Sequence, residues 1–130
     1  MHLALVTYAL ELGGVETFLR LLASRCRDAG HRVTIIETSE RGCARQDFLR
    51  AGLRVVDATI RPWETRVQHA RRLSRALGEY DAIVLNDAPF AQAALGAVRG
   101  STVAVPVLHM QVESMLANAT ACSAEWDAIV

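Results

Sequence analysis

From residue 3 to residue 8 the chain is almost wholly apolar ("LALVTY"), the pattern of a strand covered on both faces. Gly13 and Gly14 follow, and then Val15, Phe18, Leu19, Leu22 and Cys26 recur at helical spacing, with Arg20, Arg25 and Arg27 on other faces. Gly30 stands at the usual stop position. "HRVTIIET" predicts a second strand, residues 44–51 a short helix stopped by Gly52, and "LRVVDA" a third strand. A longer helix is predicted over residues 63–77, with Trp63, Val67, Ala70, Leu73 and Leu77 on its apolar side and Gly78 as its cap. "DAIVLN" reads as a fourth strand, "PFAQAALGAV" as a helix and "TVAVPVLH" as a fifth strand. Residues 110–119 read as helical, and "WDAIV" opens a sixth strand.

Strict alternation of strands and helices predicts an α/β fold: a doubly wound, Rossmann-like parallel sheet of about six strands with helices on both faces. Right-handed crossovers give the order 3-2-1-4-5-6. The 130 residues make one domain by size. Because the sequence ends inside an apolar run, Ala128-Ile129-Val130, it reads as the N-terminal part of something longer.

Composition narrows the functional classes. Charge is balanced, 14 basic against 14 acidic residues, which gives no support to a nucleic-acid binder held by bulk charge. All the basic residues are arginine, which reads as a habit of the source genome. Cys26, Cys43 and Cys122 are odd in number, far apart and without zinc-ligand spacing, and Cys26 falls on the apolar stripe of the first helix as a buried reduced thiol. No run approaches the roughly 18 apolar residues that cross a bilayer, and no signal peptide precedes the first strand, so the chain reads as cytoplasmic.

In a doubly wound sheet, ligands sit beyond the C-terminal strand ends where strand order reverses. Those ends bring together "YALELGG", "NDAP" and "HMQVES". Gly13 and Gly14 open a helix whose free N–H groups and dipole favour an anion, and a missing Cβ lets a diphosphate or sugar approach the backbone. The same pair also reads as a tight turn and helix cap, with Glu16 complementing the dipole. It is neither G-x-G-x-x-G nor a P-loop.

His109 ends the fifth strand, where an imidazole serves as hydrogen-bond donor, acid or base; the alternative is a structural histidine bonded to a loop carbonyl. Asn86 and Asp87 end the fourth strand, where they read either as contacts to a polar ligand or as the turn and cap of the helix beginning near Pro89; capping is the favoured role for Asp87, and Asn86 stays open. Glu113 and Ser114 read either as caps or as cleft residues. Arg66, Arg71, Arg72 and Arg75 form a basic helix face that reads as solvated, with peripheral membrane contact the lesser alternative. No carboxylate pair, nucleophile elbow or His/Cys cluster offers a hydrolase or a metal site.

Taken in order, these segments resemble a known family. "LALVTYALELGGVETFLRLLASRCRDAGHRVTII" is similar to the opening of retaining family 4 glycosyltransferases of the GT-B fold, with Gly13, Gly14, Glu16, Gly30, His31 and Val33 in register. "YDAIVLND", "VPVLHMQVE" and "WDAIV" resemble later strands of the same family, so the likeness spans essentially the whole chain. The resemblance implies that residues 1–130 are the N-terminal, acceptor-side domain of a two-domain enzyme. It would transfer a sugar from a nucleotide donor to an acceptor hydroxyl with retention, without metal or other cofactor.

It further implies a catalytic role for His109 facing the transferred sugar, and substrate contacts from Gly13, Gly14 and Asn86, with Arg61 meeting an acceptor phosphate. In that family the donor nucleotide is held mostly by a C-terminal domain, including a pair of glutamates. The expected partners are therefore that domain, a sugar nucleotide and a hydroxyl acceptor, and these residues alone are expected to be inactive. A non-enzymatic module, receiver-like or small-ligand-binding, is the alternative, although a receiver needs an acidic cluster at the ends of strands one and three. Another GT-B enzyme, such as a sugar-nucleotide epimerase, is a third reading, since fold does not fix chemistry.

Overall fold

The computed structural model describes residues 1–96, 102–109, 113, 117 and 127. Five strands form one parallel sheet: β1 His2–Thr7, β2 Arg32–Glu37, β3 Arg54–Asp57, β4 Ala82–Asn86 and β5 Val103–Val107. Their order is β3-β2-β1-β4-β5, as the crossover rule predicts. The expected sixth strand falls on residues 126–130, of which only Asp127 is described. Its N–H donates to Ala104 O at 3.0 Å, and its Oδ2 accepts from Ala104 N at 2.8 Å.

Alternation along each strand splits the core in two. Leu5, Val33 and Ile35 face α1 (Gly14–Asp28) and α2 (Arg45–Arg50), packing with Leu19, Ala23 and Phe48. Ala4, Val6, Ile36, Ile83 and Leu85 face α3 (Arg66–Leu77) and α4 (Pro89–Leu95), packing with Leu73, Leu77 and Ala91. With Ala, Val, Leu and Ile filling both layers, the sheet sits between two helical layers as the composition implies. α1 ends in a Schellman motif: His31 N donates to Cys26 O at 3.0 Å and Gly30 N to Arg27 O at 2.9 Å, with Gly30 left-handed at φ 83°. α2 repeats the pattern through Leu53, Gly52 and the carbonyls of Phe48 and Leu49. Cys26 is half-buried against the first core layer rather than sealed in it, and both Cys26 and the exposed Cys43 are free thiols; Cys122 lies outside the described residues.

The longer helix corrects the periodicity reading. It starts at Arg66, three residues later than predicted, because Thr65 forms a capping box: its Oγ1 accepts from Gln68 N, and Gln68 Oε1 accepts from Thr65 N. The inward line is then His69, Leu73 and Leu77, while Trp63 and Val67 are exposed, at 77% and 62%. A polar residue takes the inner position that the pattern assigned to an apolar one. Fully buried His69 donates from Nε2 to Ala58 O at 2.8 Å and sits 5.5 Å from the Phe90 ring.

Of the four arginines on this helix face, Arg72 is not merely solvated. It pairs with Glu64 at 2.8 Å and donates to Thr59 O, tying α3 to the loop after β3. Hydrogen bonding to Arg72, helped by the Arg61 N–H, holds the Glu64 carboxyl at about 2 against the pull of burial. In the same loop, burial acts to raise the Asp57 carboxyl, but hydrogen bonds from Thr59 and from Arg41 outweigh it and bring the group to about 2. No helix among the described residues is long and apolar enough to cross a membrane.

Candidate functional site

The C-terminal ends of β1 and β4 are neighbours, with Thr7 paired to Asn86, and beside them opens a cavity of about 380 Å³. Thr7, Tyr8, Ala9, Glu11, Val15, Glu16, Asn86 and Asp87 wall it, so its lining is largely apolar with a few polar atoms. This is the reversal point of the strand order, where β1 has β2 on one side and β4 on the other.

Asn86 is fully buried and organises this edge. Its Nδ2 donates to Val6 O at 3.2 Å and Val84 O at 3.4 Å. Carbonyls only accept, so this end must be the amide nitrogen, and Oδ1 is left to face His109 Nε2 at 3.0 Å. The His109 Nε2 therefore carries a proton, and in the neutral ring Nδ1 is the nitrogen with a free lone pair. His109 lies two residues beyond β5, half-buried, with its ring edge-on to Phe18 at 5.0 Å. Phe18 is one turn into α1 from Gly14, so the imidazole is packed against the turn that begins at the glycine pair. Asn86 thus reaches backbone on one side and imidazole on the other.

The glycine pair answers differently from expectation. Gly13 caps α1 with φ 178°, an extended conformation open to any residue, and no side chain caps the helix. A Cβ on Gly13 would lie 3.3 Å from the end of the Glu16 side chain, and one on Gly14 would meet nothing within 4 Å among the described residues. Neither glycine is needed by the turn itself. Glu16 does not cap the free amides either; its Oε1 accepts from Glu11 N at 2.9 Å, holding the cavity's outer loop. Among the described residues no side chain caps the first-turn N–H groups of α1, and Val15 and Glu16 of that turn line the cavity.

Sequence reasoning gave one residue here the wrong role and missed two others. Asp87 does not cap α4: the N-cap is Ala88, with no side-chain hydrogen bond. Asp87 instead adopts φ 45°; among the described residues it is the only non-glycine with positive φ, and its buried Oδ1 has no partner among them. Backbone strain and an unpaired carboxylate oxygen in one cavity wall mark a residue retained at a cost to folding. Replacing Asp87 with Asn, which tolerates this conformation and removes the charge, is expected to raise stability by about 1 kcal/mol. An unchanged or lowered thermal midpoint would count against that account.

The other two residues are Glu37 and Gly42. Glu37 is fully buried at the end of β2; its Oε1 accepts from Leu10 N at 3.3 Å and Gly42 N at 2.8 Å, while Oε2 pairs with Arg45. The carboxylate fastens the loop after β1, which forms one cavity wall, to the loop after β2. The hint was a lone acid closing an apolar strand, "RVTIIE". Gly42 packs where a Cβ would lie 1.8 Å from Leu10 O, and a glycine among charged residues gave no local sign of that approach.

Arg61 is not brought to this cavity. It lies in the β3–α3 loop, where its N–H donates to Glu64 Oε2 at 3.1 Å and its side chain is exposed. Glu113 is exposed and helical, while Ser114 lies outside the described residues. The acid cluster of a receiver is missing among the described residues: β1 ends in Thr7, and Asp57 at the end of β3 is bound to Arg41 and Thr59. No group of three or more His, Cys, Asp or Glu among the described residues is placed to hold a metal ion.

No curated protein matches the sequence. Residues 13–126 match the glycosyl transferase 4-like domain, a span that starts at the glycine turn and takes in the Asn86–His109 pair. With that match over most of its length, the chain belongs to the glycosyl transferase 4-like family.

Proposed function

We propose that this chain is the acceptor-side, Rossmann-like domain of a retaining GT-B glycosyltransferase, and that a second, C-terminal domain supplies most of the nucleotide contacts. The observation that carries the reading is the Asn86–His109 hydrogen bond, set beside the open first turn of α1 at the β1/β4 reversal point. In the full enzyme, closure of the two domains would exclude water from the cleft between them.

His109 would then meet the transferred sugar through Nδ1, accepting a hydrogen bond from a sugar hydroxyl, because Asn86 engages Nε2. Asn86 would act as a positioning residue that fixes the imidazole's proton and plane. The free N–H groups at Gly13–Gly14 would help neutralise the leaving diphosphate, and the unfilled space at Gly14 would admit it. Asp87 Oδ1, unpaired in the cavity wall, suits an acceptor hydroxyl as its missing donor.

The test is sugar-nucleotide turnover by the chain joined to its C-terminal domain. His109→Ala is expected to lower kcat on the order of a hundredfold, and Gly14→Val to raise KM for the donor. Asn86→Ala should lower kcat with little change in KM, because the imidazole is still present but loses the partner that fixes its plane. Full activity in the His109→Ala, Gly14→Val double variant overturns these roles.

A further inference from the structure

A second cavity, of about 320 Å³, opens at the opposite edge of the sheet, where the strands begin. Its walls carry Arg27, Arg32, Arg54, His2 and His31, with Thr34 and Gly52 between them. Three of the chain's arginines and two of its four histidines thus share one hollow in a molecule whose formal net charge is zero. Bulk composition does not produce such a concentration.

Strand register explains how it forms. His2 pairs with Arg32 and Thr34 with Arg54, so these four positions lie on one face of three adjacent strands. His2 Nε2 and Thr34 Oγ1 are 3.0 Å apart, fixing the floor. Arg27 reaches over from α1 and donates to Ala51 O at 3.3 Å, capping the carbonyl end of α2, which is a sufficient structural reason for that residue.

Arg32 and Arg54 have no such reason. Arg41, Arg45, Arg50 and Arg72 each pair with a carboxylate, whereas the side chains of Arg32 and Arg54 have no hydrogen-bond or ion-pair partner among the described residues. The nearest acid at His2 is Asp81, whose Oδ2 accepts from the His2 backbone N–H at 2.6 Å. Burial, with the positive fields of Arg32 and Arg54, keeps the His2 imidazole below its usual range in spite of Asp81. The hollow is therefore electropositive as well as concave.

The geometry points to a binding site for a small phosphate-bearing anion at the N-terminal edge of β1–β3, held by Arg32 and Arg54 with Arg27 and His31 at its rim. The volume suits a diphosphate-sized group rather than a nucleic-acid strand, and guanidinium groups match phosphate oxygens in pairs. The six-residue strands β1 and β2 separate this hollow from the Asn86 cavity by about 20 Å, so a ligand here does not compete with one there.

Calorimetric titration with inorganic pyrophosphate, at about 0.15 M salt where long-range fields are screened beyond about 8 Å, tests the site. Saturable binding of one ion per chain is expected, weakened on the order of tenfold for each arginine removed in R32Q and R32Q/R54Q, with far-UV circular dichroism unchanged. Gly14→Val, which fills the space proposed for the donor diphosphate, is expected to bind pyrophosphate as tightly as the parent, which separates this site from the one proposed above. Co-sedimentation with phosphatidate-containing vesicles is the second arm: arginine-dependent capture there, without pyrophosphate binding, identifies a lipid headgroup as the source of the phosphate. Absence of saturable binding in both arms overturns the proposal, as does equal binding by R32Q/R54Q.

Discussion

Replacing Glu37 with alanine is expected to lower the unfolding free energy by about 3–5 kcal/mol. The cost has two sources. The Leu10 and Gly42 N–H groups lose their acceptor inside the protein, at about 1–3 kcal/mol for each donor left dry. Arg45, whose side chain is only 23% exposed, loses its counter-charge. Glu37→Gln keeps the shape and one acceptor oxygen, so it should recover part of the loss. Urea denaturation of both variants checks this, with the alanine midpoint well below that of the glutamine variant. Equal midpoints for E37A and the parent would show that water reaches these groups and that the carboxylate is dispensable.

A side chain at position 42 is the second large effect. The Cβ of Gly42→Ala would lie 1.8 Å from Leu10 O and 2.0 Å from its carbonyl carbon. Backbone cannot rotate aside as a side chain can, so one loop must move. A loss of about 3 kcal/mol or more is expected, at the upper end of overpacking costs. The shift would also break Ala44 N to Leu10 O, now 2.9 Å, and loosen Tyr8, Ala9 and Glu11 in the cavity wall. Because Glu37 and Gly42 hold the same two loops together, E37A/G42A should cost clearly less than the sum of the single changes. Additive losses would mean that the loops are anchored independently.

These two residues also show where sequence reasoning stops. Strand order was legible because apolar runs and glycine stops are local signals: Gly30 and Gly52 end their helices through hydrogen bonds within a few residues. The start of α3 was not, since the Trp63–Val67–Leu73 spacing fits a helix as well as the His69–Leu73–Leu77 line does. Only the capping box at Thr65 and the buried bond of His69 to Ala58 separate the two. Asp87 looked like a cap by its place before Pro89, and nothing in the letters reports a φ of 45°.

In the site, "NDAP" and the histidine that follows the fifth strand were legible as polar groups at a reversal point. Their hydrogen bond was not, because 23 residues and a crossover helix separate the partners. The glycine turn was read as a demand of the backbone, yet the crowding lies at Gly42. A glycine that folding needs and one that folding leaves vacant look the same in one sequence.

The vacancy beside Gly14 has a practical use. Since a β-carbon at that position would strike no neighbour among the described residues, a cysteine installed there should fold and carry a fluorophore or spin label at the mouth of the cleft. Such a probe would sense arrival of a second domain, and because the label fills the space proposed for the diphosphate, encounter would be timed with transfer held back.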